Sequence, residues 1–397
     1  YQWVTRLAGP AWGWLTGWIA VCFLVIVVPS VDHVIAGVIG HVAGIPADSG
    51  WLTAIVCGVI ALQALIHVFG VRLANTINSV AVFTEMAGMV GLVVLFGYLA
   101  FRDGPSLEIL AQPSPLPDAG VGWMPWLMGC LMGAYTLVGF ESAANLSEET
   151  IDAASTVPRA VVWSVIASGG VGTLFLVVVT LGITDLPELV ASDYPLPEII
   201  RMKLGPTMSL LFFVLVIVSV FACGLIIMAS GSRLVYAMAR DNVFPASGVF
   251  RRVSPGTAVP VPAILLILVL GVLAEIFAES IEQLLLAAAV LPAVIYLLTV
   301  LSYLGRRSKM PGRFGTFSLG RWGSPIAVTA AAWLVATIAI LTIPEEFRHT
   351  SLVSLGVCVL GLVVWFAWVR NRIASGDAGI SSVGPESYGS ADDGEHE

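Results

Sequence analysis

Ten stretches of this chain are each long and apolar enough to cross a lipid bilayer as one helix. They run approximately over residues 12–30, 51–69, 78–101, 123–145, 160–182, 207–230, 261–278, 283–304, 324–343 and 351–369. A hydrocarbon core about 30 Å thick is spanned by about 20 residues at the rise of an α-helix. Lipid offers no partner to a backbone N–H or C=O, so each run must satisfy its own hydrogen bonds. The expected fold class is therefore all-α: a polytopic membrane protein with ten transmembrane helices embedded in a lipid bilayer. The low share of charged residues, 11% against 58% hydrophobic, excludes an ordinary soluble domain.

The basic residues test where these runs are drawn. If the first residue lies on the cytoplasmic side, 14 of the 18 Lys and Arg residues fall inside, and only Arg102, Arg201, Lys203 and Arg348 fall outside. Correctly placed spans should show that bias, so both ends of the chain are expected in the cytoplasm. The acidic balance has a local origin: Asp377, Glu386, Asp392, Asp393, Glu395 and Glu397 lie in a Gly/Ser-rich stretch with no basic residue after Arg372. Residues 1–372 read as a transmembrane domain, and 373–397 as a disordered acidic cytoplasmic tail. Nothing in the charge pattern indicates nucleic-acid binding. The five cysteines all fall within predicted spans, and neither CxxC nor HxxxH spacing occurs. No disulfide, metal or cofactor is expected. Tryptophans at span ends, among them Trp12, Trp14, Trp18, Trp51, Trp322, Trp365 and Trp368, read as an interfacial belt. The histidines and Glu275, near an outer span end, read as surface or interfacial groups.

One span carries an expensive residue. The stretch GAYTLVGFESAANLSEET, Gly133 to Thr150, places Glu141 beside a Gly-Phe step in an otherwise apolar segment. A charge at mid-membrane costs about 2.5 kcal/mol or more unless it faces protein or water. Gly139 tolerates the backbone angles at which a helix opens, and opened backbone at membrane depth persists only beside a cavity or packed protein. Glu141 is thus the leading candidate for a site.

Several segments together resemble the amino acid/polyamine/organocation transporter superfamily, most closely its amino acid and choline permease branch. YQWVTRLAGPAWGWLTGW is similar to the start of that family's third transmembrane helix, and FGVRLANTINSVAVFTEMAG to its fifth. LVGFESAANLSEETIDAASTVPRA resembles the broken sixth helix and following loop, SGSRLVYAMARDNVFP the end of the eighth, and GTFSLGRWGSP the loop before the eleventh. The likeness extends to about residue 372. It implies a LeuT-type inverted-repeat transporter fold whose ten spans match helices three to twelve. The first two helices are then expected upstream of Tyr1, where the chain starts without methionine, and helix one would complete the substrate site.

The resemblance also implies roles. Glu141 matches a gating or proton-sensing carboxylate at the break. Tyr135 and Phe140 match aromatic lids, and Gly139, Ser142 and Asn145 would give hydrogen bonds to a substrate. Glu85 is a possible second ionisable coupling group, because the lysine that some proton-driven members carry on helix five has no counterpart. Arg240 and Asp241, with Glu148 in the loop after helix six, would form an intracellular gate. The expected function is secondary active transport of an amino acid or small amine across the plasma membrane by alternating access, coupled to protons or exchange. The alternatives are an amine permease of polyamine, choline or GABA type, or an inactive fragment of such a permease. No catalytic constellation and no nucleotide-binding loop occurs, so an enzyme is not expected.

Overall fold

A computed structural model describes residues 1–46, 50–103, 109–110, 133, 136–145, 147, 150–183, 186, 189, 194–256, 259–278, 281–309, 317–344 and 348–379. Its principal helices are α1 (Gln2–Ala8), α2 (Pro10–Ala43), α3 (Gly50–Phe69), α4 (Val71–Asp103), α5 (Ser142–Asn145), α6 (Ala153–Leu181), α7 (Pro195–Leu204) and α8 (Pro206–Arg240). After a helical turn at Ser247–Phe250 come α9 (Val261–Phe277), α10 (Ile281–Arg306), α11 (Gly323–Thr342) and α12 (Arg348–Val364). The described residues contain no strand. Proline occupies the first turn of α2, α7 and α8, where its missing N–H has no helical partner to lose.

Among the described residues, eight helical stretches are long and apolar enough to span a membrane. Helix α9 is apolar but has 17 residues, about 25 Å of helix. The expected span at 123–145 lies largely outside the described residues. The protein is an all-α, multi-pass membrane protein.

Burial locates the axis of the bundle. The most apolar window of α2 is 67% buried, whereas those of α4 and α6 are 11% buried. Helix α2 packs against α1, α3, α8, α9, α10 and α12. Its Trp14, Val21 and Val28 join Val56 and Ile60 of α3, Met228 and Val235 of α8, and Ile264 and Ile267 of α9 in the main core. A second core joins Phe96 of α4, Phe175 and Val178 of α6, Ile200 of α7 and Phe212 of α8. The rim is apolar and open, with Phe83, Phe101 and Trp163 largely exposed. Such a surface is a liability in water and suits hydrocarbon.

Two expectations about polar side chains are corrected here. Trp14 and Trp18 are not headgroup anchors: Trp14 Nε1 donates to Gly361 O at 3.1 Å and Trp18 Nε1 to Val357 O at 2.9 Å, tying α2 to α12. A buried indole N–H needs such a partner. Trp12, Trp51 and Trp322 are exposed, as a belt requires. His67 is likewise no surface group; it is buried on α3, with Nε2 2.8 Å from Leu225 O of α8.

Past α12 the chain makes one turn of π-helix, Trp365–Val369, and continues helically through Arg370–Ala374. Ile373 and Ala378 pack on the main core, and Gly379 N donates to Asp241 O at 3.0 Å.

Candidate functional site: an interrupted helix beside Tyr296

The segment around Gly139 does not run as one helix. Leu137 N still reaches Gly133 O at 3.3 Å, but residues 137–141 form turns, and Gly139 has φ of +106°. Side chains with a Cβ rarely adopt that angle, which accounts for glycine at the break. The chain then recovers: Ser142 N donates to Gly139 O at 3.0 Å, and Ala144 and Asn145 N donate to Glu141 O at 2.8 and 3.0 Å. These bonds close the short turn α5, which packs against α6 and α8. Val138 packs on the core shared by Ile19, Phe23 and Val27 of α2 and Leu291 of α10.

This packing brings α10 to the break. Tyr296 Oη of α10 donates to Glu141 Oε2 at 2.5 Å. The Phe140 ring stacks on the Tyr296 ring, with centroids 4.9 Å apart and planes at 29°. Gly139, Phe140, Glu141 and Ser142 are half-buried, whereas Asn145 is exposed. A carboxylate, a phenol and two aromatic faces thus meet where the backbone opens. This is binding chemistry: acceptors for N–H or O–H donors, and ring faces that attract a cation.

The other anticipated residues divide. Tyr135 and Glu148 lie outside the described residues. Glu85 is half-buried on α4 and makes no hydrogen bond or ion pair with the described residues. It lies within electrostatic reach of Cys223 on α8. Arg240 and Asp241, expected in an intracellular gate with Glu148, lie side by side, with Arg240 Nε 3.8 Å from Asp241 Oδ1. Tyr1 Oη donates to Asp241 Oδ2 at 2.8 Å, and Arg240 lies over the Tyr236 ring at 5.9 Å. Burial, and then the adjacent Asp241 carboxylate, hold the Tyr1 phenol well above its ordinary range.

Sequence reasoning missed Tyr296, whose only signal is a phenol within an apolar run. It also missed a second polar group. Asp32 of α2 is fully buried and accepts from Gln63 Nε2 of α3 at 2.8 Å. One residue on, His33 Nδ1 stands 3.4 Å from Glu275 Oε1 of α9. Glu275 is not interfacial but 6% exposed. The Asp32 signal was masked by Pro29-Ser30, which reads as a span end, although α2 continues through both residues to Ala43.

The model of the amino acid permease family matches residues 1–365. Amino-acid permease BAT1 of Arabidopsis thaliana is 24% identical, over 94% of this chain and 79% of its own length. A putative polyamine transporter of Candida albicans is 26% identical over 64% of this chain and 48% of its own length. The low-affinity putrescine importer PlaP of Escherichia coli is 25% identical over 69% and 59%.

Proposed function

The chain belongs to the amino acid permease family, and from that premise we propose that it is a secondary active transporter, not an enzyme, moving an amino acid or small amine across the plasma membrane. It works by alternating access on a LeuT-type inverted-repeat frame, with both ends of this chain cytoplasmic, and its transport is coupled to protons or to exchange. The observation that carries this reading is the Glu141–Tyr296 bond at the Gly139 break. Broken helices near the bilayer midplane are where transporters of this architecture hold substrate. Glu141 senses occupancy, Phe140 and Tyr135 close over the substrate, and Gly139, Ser142 and Asn145 supply hydrogen bonds. Arg240, Asp241 and Glu148 form the inner gate, and Glu85 is an accessory ionisable group.

Within that class the site favours a substrate with a protonated amine. A carboxylate beside the stacked Phe140 and Tyr296 rings offers an ammonium group both charge and aromatic faces. The putrescine importer among the relatives is consistent with that choice. The test is uptake by proteoliposomes containing the full-length protein, given a labelled panel of neutral amino acids, cationic amino acids and diamines, with and without a proton gradient. Accumulation of amine-bearing substrates is expected. Glu141→Gln should weaken their uptake about 10- to 100-fold, the worth of a lost charged hydrogen bond. No accumulation of any substrate under any gradient would remove the transport reading.

A further inference from the structure

The described helices contain a second polar group, largely buried: its members are Asp32, Gln63, His33 and Glu275, carried by α2, α3 and α9. Helix α8 packs against all three of these helices. Asp32 and Gln63 are both 0% exposed, and a single hydrogen bond joins them, Gln63 Nε2 to Asp32 Oδ1. Asp32 Oδ2, Gln63 Oε1, Glu275 Oε2 and His33 Nδ1 are buried without a hydrogen-bond partner among the described residues. Three of these four atoms are oxygen acceptors, the fourth, His33 Nδ1, stands by Glu275, and the Asp32 and Glu275 carboxyls are close enough to repel each other. What such a group lacks is a donor hydrogen. One proton on Asp32 Oδ2 supplies that hydrogen and removes the repulsion between the two carboxyls.

We infer that Asp32 is a proton-binding site that loads and unloads during transport, with the His33–Glu275 pair as its neighbouring proton donor and acceptor. The binding step is simple: Oδ2 takes one proton, turning a carboxylate into a neutral acid that can donate, and releases it unchanged. Neutralising a carboxylate in so enclosed a place removes the desolvation penalty of a buried charge. His33 is the more exposed member of the pair, its side chain 24% exposed against 3% for Glu275, although its Nδ1 is buried. The titratable groups within reach of the cluster are His33 from α2, Cys57 from α3, Cys223 from α8, Glu275 from α9, and Glu85 from α4 beyond Cys223, while His67 of α3 and Arg233 of α8 lie near each other. The Glu141 site would then hold substrate while Asp32 holds the coupling proton. The transport role rests on the proposed function; the proton on Asp32 does not.

Two measurements keep these apart. In lipid bilayers, infrared spectroscopy of the purified full-length protein should show the carbonyl stretch of a protonated carboxylic acid at neutral pH. Asp32→Asn should remove that band, Glu275→Gln should shift the pH midpoint of its loss, and Glu141→Gln should leave it in place. A band indifferent to both Asp32→Asn and Glu275→Gln overturns the assignment, and Glu275→Gln keeps the test open should Asp32→Asn not fold. In proteoliposomes, Asp32→Asn should lower proton-driven accumulation at least about fivefold, within the usual range of coupling between sites, while substrate exchange without a gradient persists. Unaltered accumulation with the band lost marks a static proton and overturns the transport role. Should the wild-type protein move no amino acid or amine, the proposed function fails, and the infrared result still decides whether Asp32 binds a proton.

Discussion

Gly224→Ala probes the buried dyad without substituting either of its members. A Cβ built at Gly224 of α8 lies 2.1 Å from Gln63 Nε2 and 2.9 Å from Asp32 Oδ1, below any ordinary contact distance. The Gln63 amide must therefore retreat by roughly 1 Å, and its 2.8 Å bond to Asp32 cannot survive unchanged. Losing a hydrogen bond to a charged or polar group in this setting costs about 1.5 to 3 kcal/mol, and overpacking a close helix contact adds about 1 to 3 kcal/mol. A destabilisation of about 2.5 to 6 kcal/mol is expected if both act in full, read by equilibrium unfolding in mixed micelles. The double mutant isolates the cause. Gln63→Ala removes the nearest atom that the new methyl strikes and leaves only Asp32 Oδ1 at 2.9 Å, so Gly224→Ala should cost at least about 1.5 kcal/mol less in that background, a coupling typical of touching residues. A cost under about 0.5 kcal/mol, the size of an unremarkable surface change, or strict additivity of the two substitutions, would refute the reasoning.

Tyr296→Phe keeps the ring stacked on Phe140 but removes the donor to Glu141, so it should destabilise the protein by about 1.5 to 3 kcal/mol; Tyr296→Leu should cost about 0.5 to 1.5 kcal/mol more by losing the stack. Both are read by the same unfolding assay. Trp18→Phe should cost about 1 kcal/mol through the lost bond to Val357 O, whereas Trp12→Phe, at an exposed position, should stay within about 0.5 kcal/mol. The raised Tyr1 phenol makes no demand at neutral pH, where folded and unfolded forms are both protonated. Its contribution should be lost as pH rises beyond about 10, where the unfolded tyrosine ionises first, and Asp241→Asn should flatten that alkaline loss in a pH series of unfolding midpoints.

The architecture was legible because lipid imposes a one-dimensional rule: a helix that crosses must announce itself as an apolar run. Glu141 and Gly139 were legible for the same reason, since a carboxylate and an opened backbone are both conspicuous against hydrocarbon. What the rule hides is the partner. Tyr296 stands 155 positions from Glu141, and a tyrosine in an apolar span looks the same whether it faces lipid or a carboxylate. Asp32 was hidden differently. Pro29 and Ser30 interrupt the run of apolar residues, and a window average ends the span there. The folded helix continues because its neighbours pack around it and Ser30 Oγ bonds back to Val27 O at 2.9 Å. Glu275 and His33 each looked interfacial when counted from a span end; only the packing of α9 on α2 turns the two toward each other.

Helix α8 gives the two polar groups a mechanical connection. It packs against α5, the turn that follows the Gly139 break, and against α2, α3 and α9, which carry the second group. Interfaces of packed helices shift between discrete arrangements more readily than they deform. A displacement of α5 would be taken up where it meets α6 and α8, and on α8 Gly224 sits closely against the Asp32–Gln63 bond. If that contact transmits the motion, substrate binding at wild type should change the infrared signature of Asp32, and Gly224→Ala should abolish that change while leaving substrate affinity within about twofold of wild type. A substrate-induced change that persists undiminished in Gly224→Ala would place the connection elsewhere.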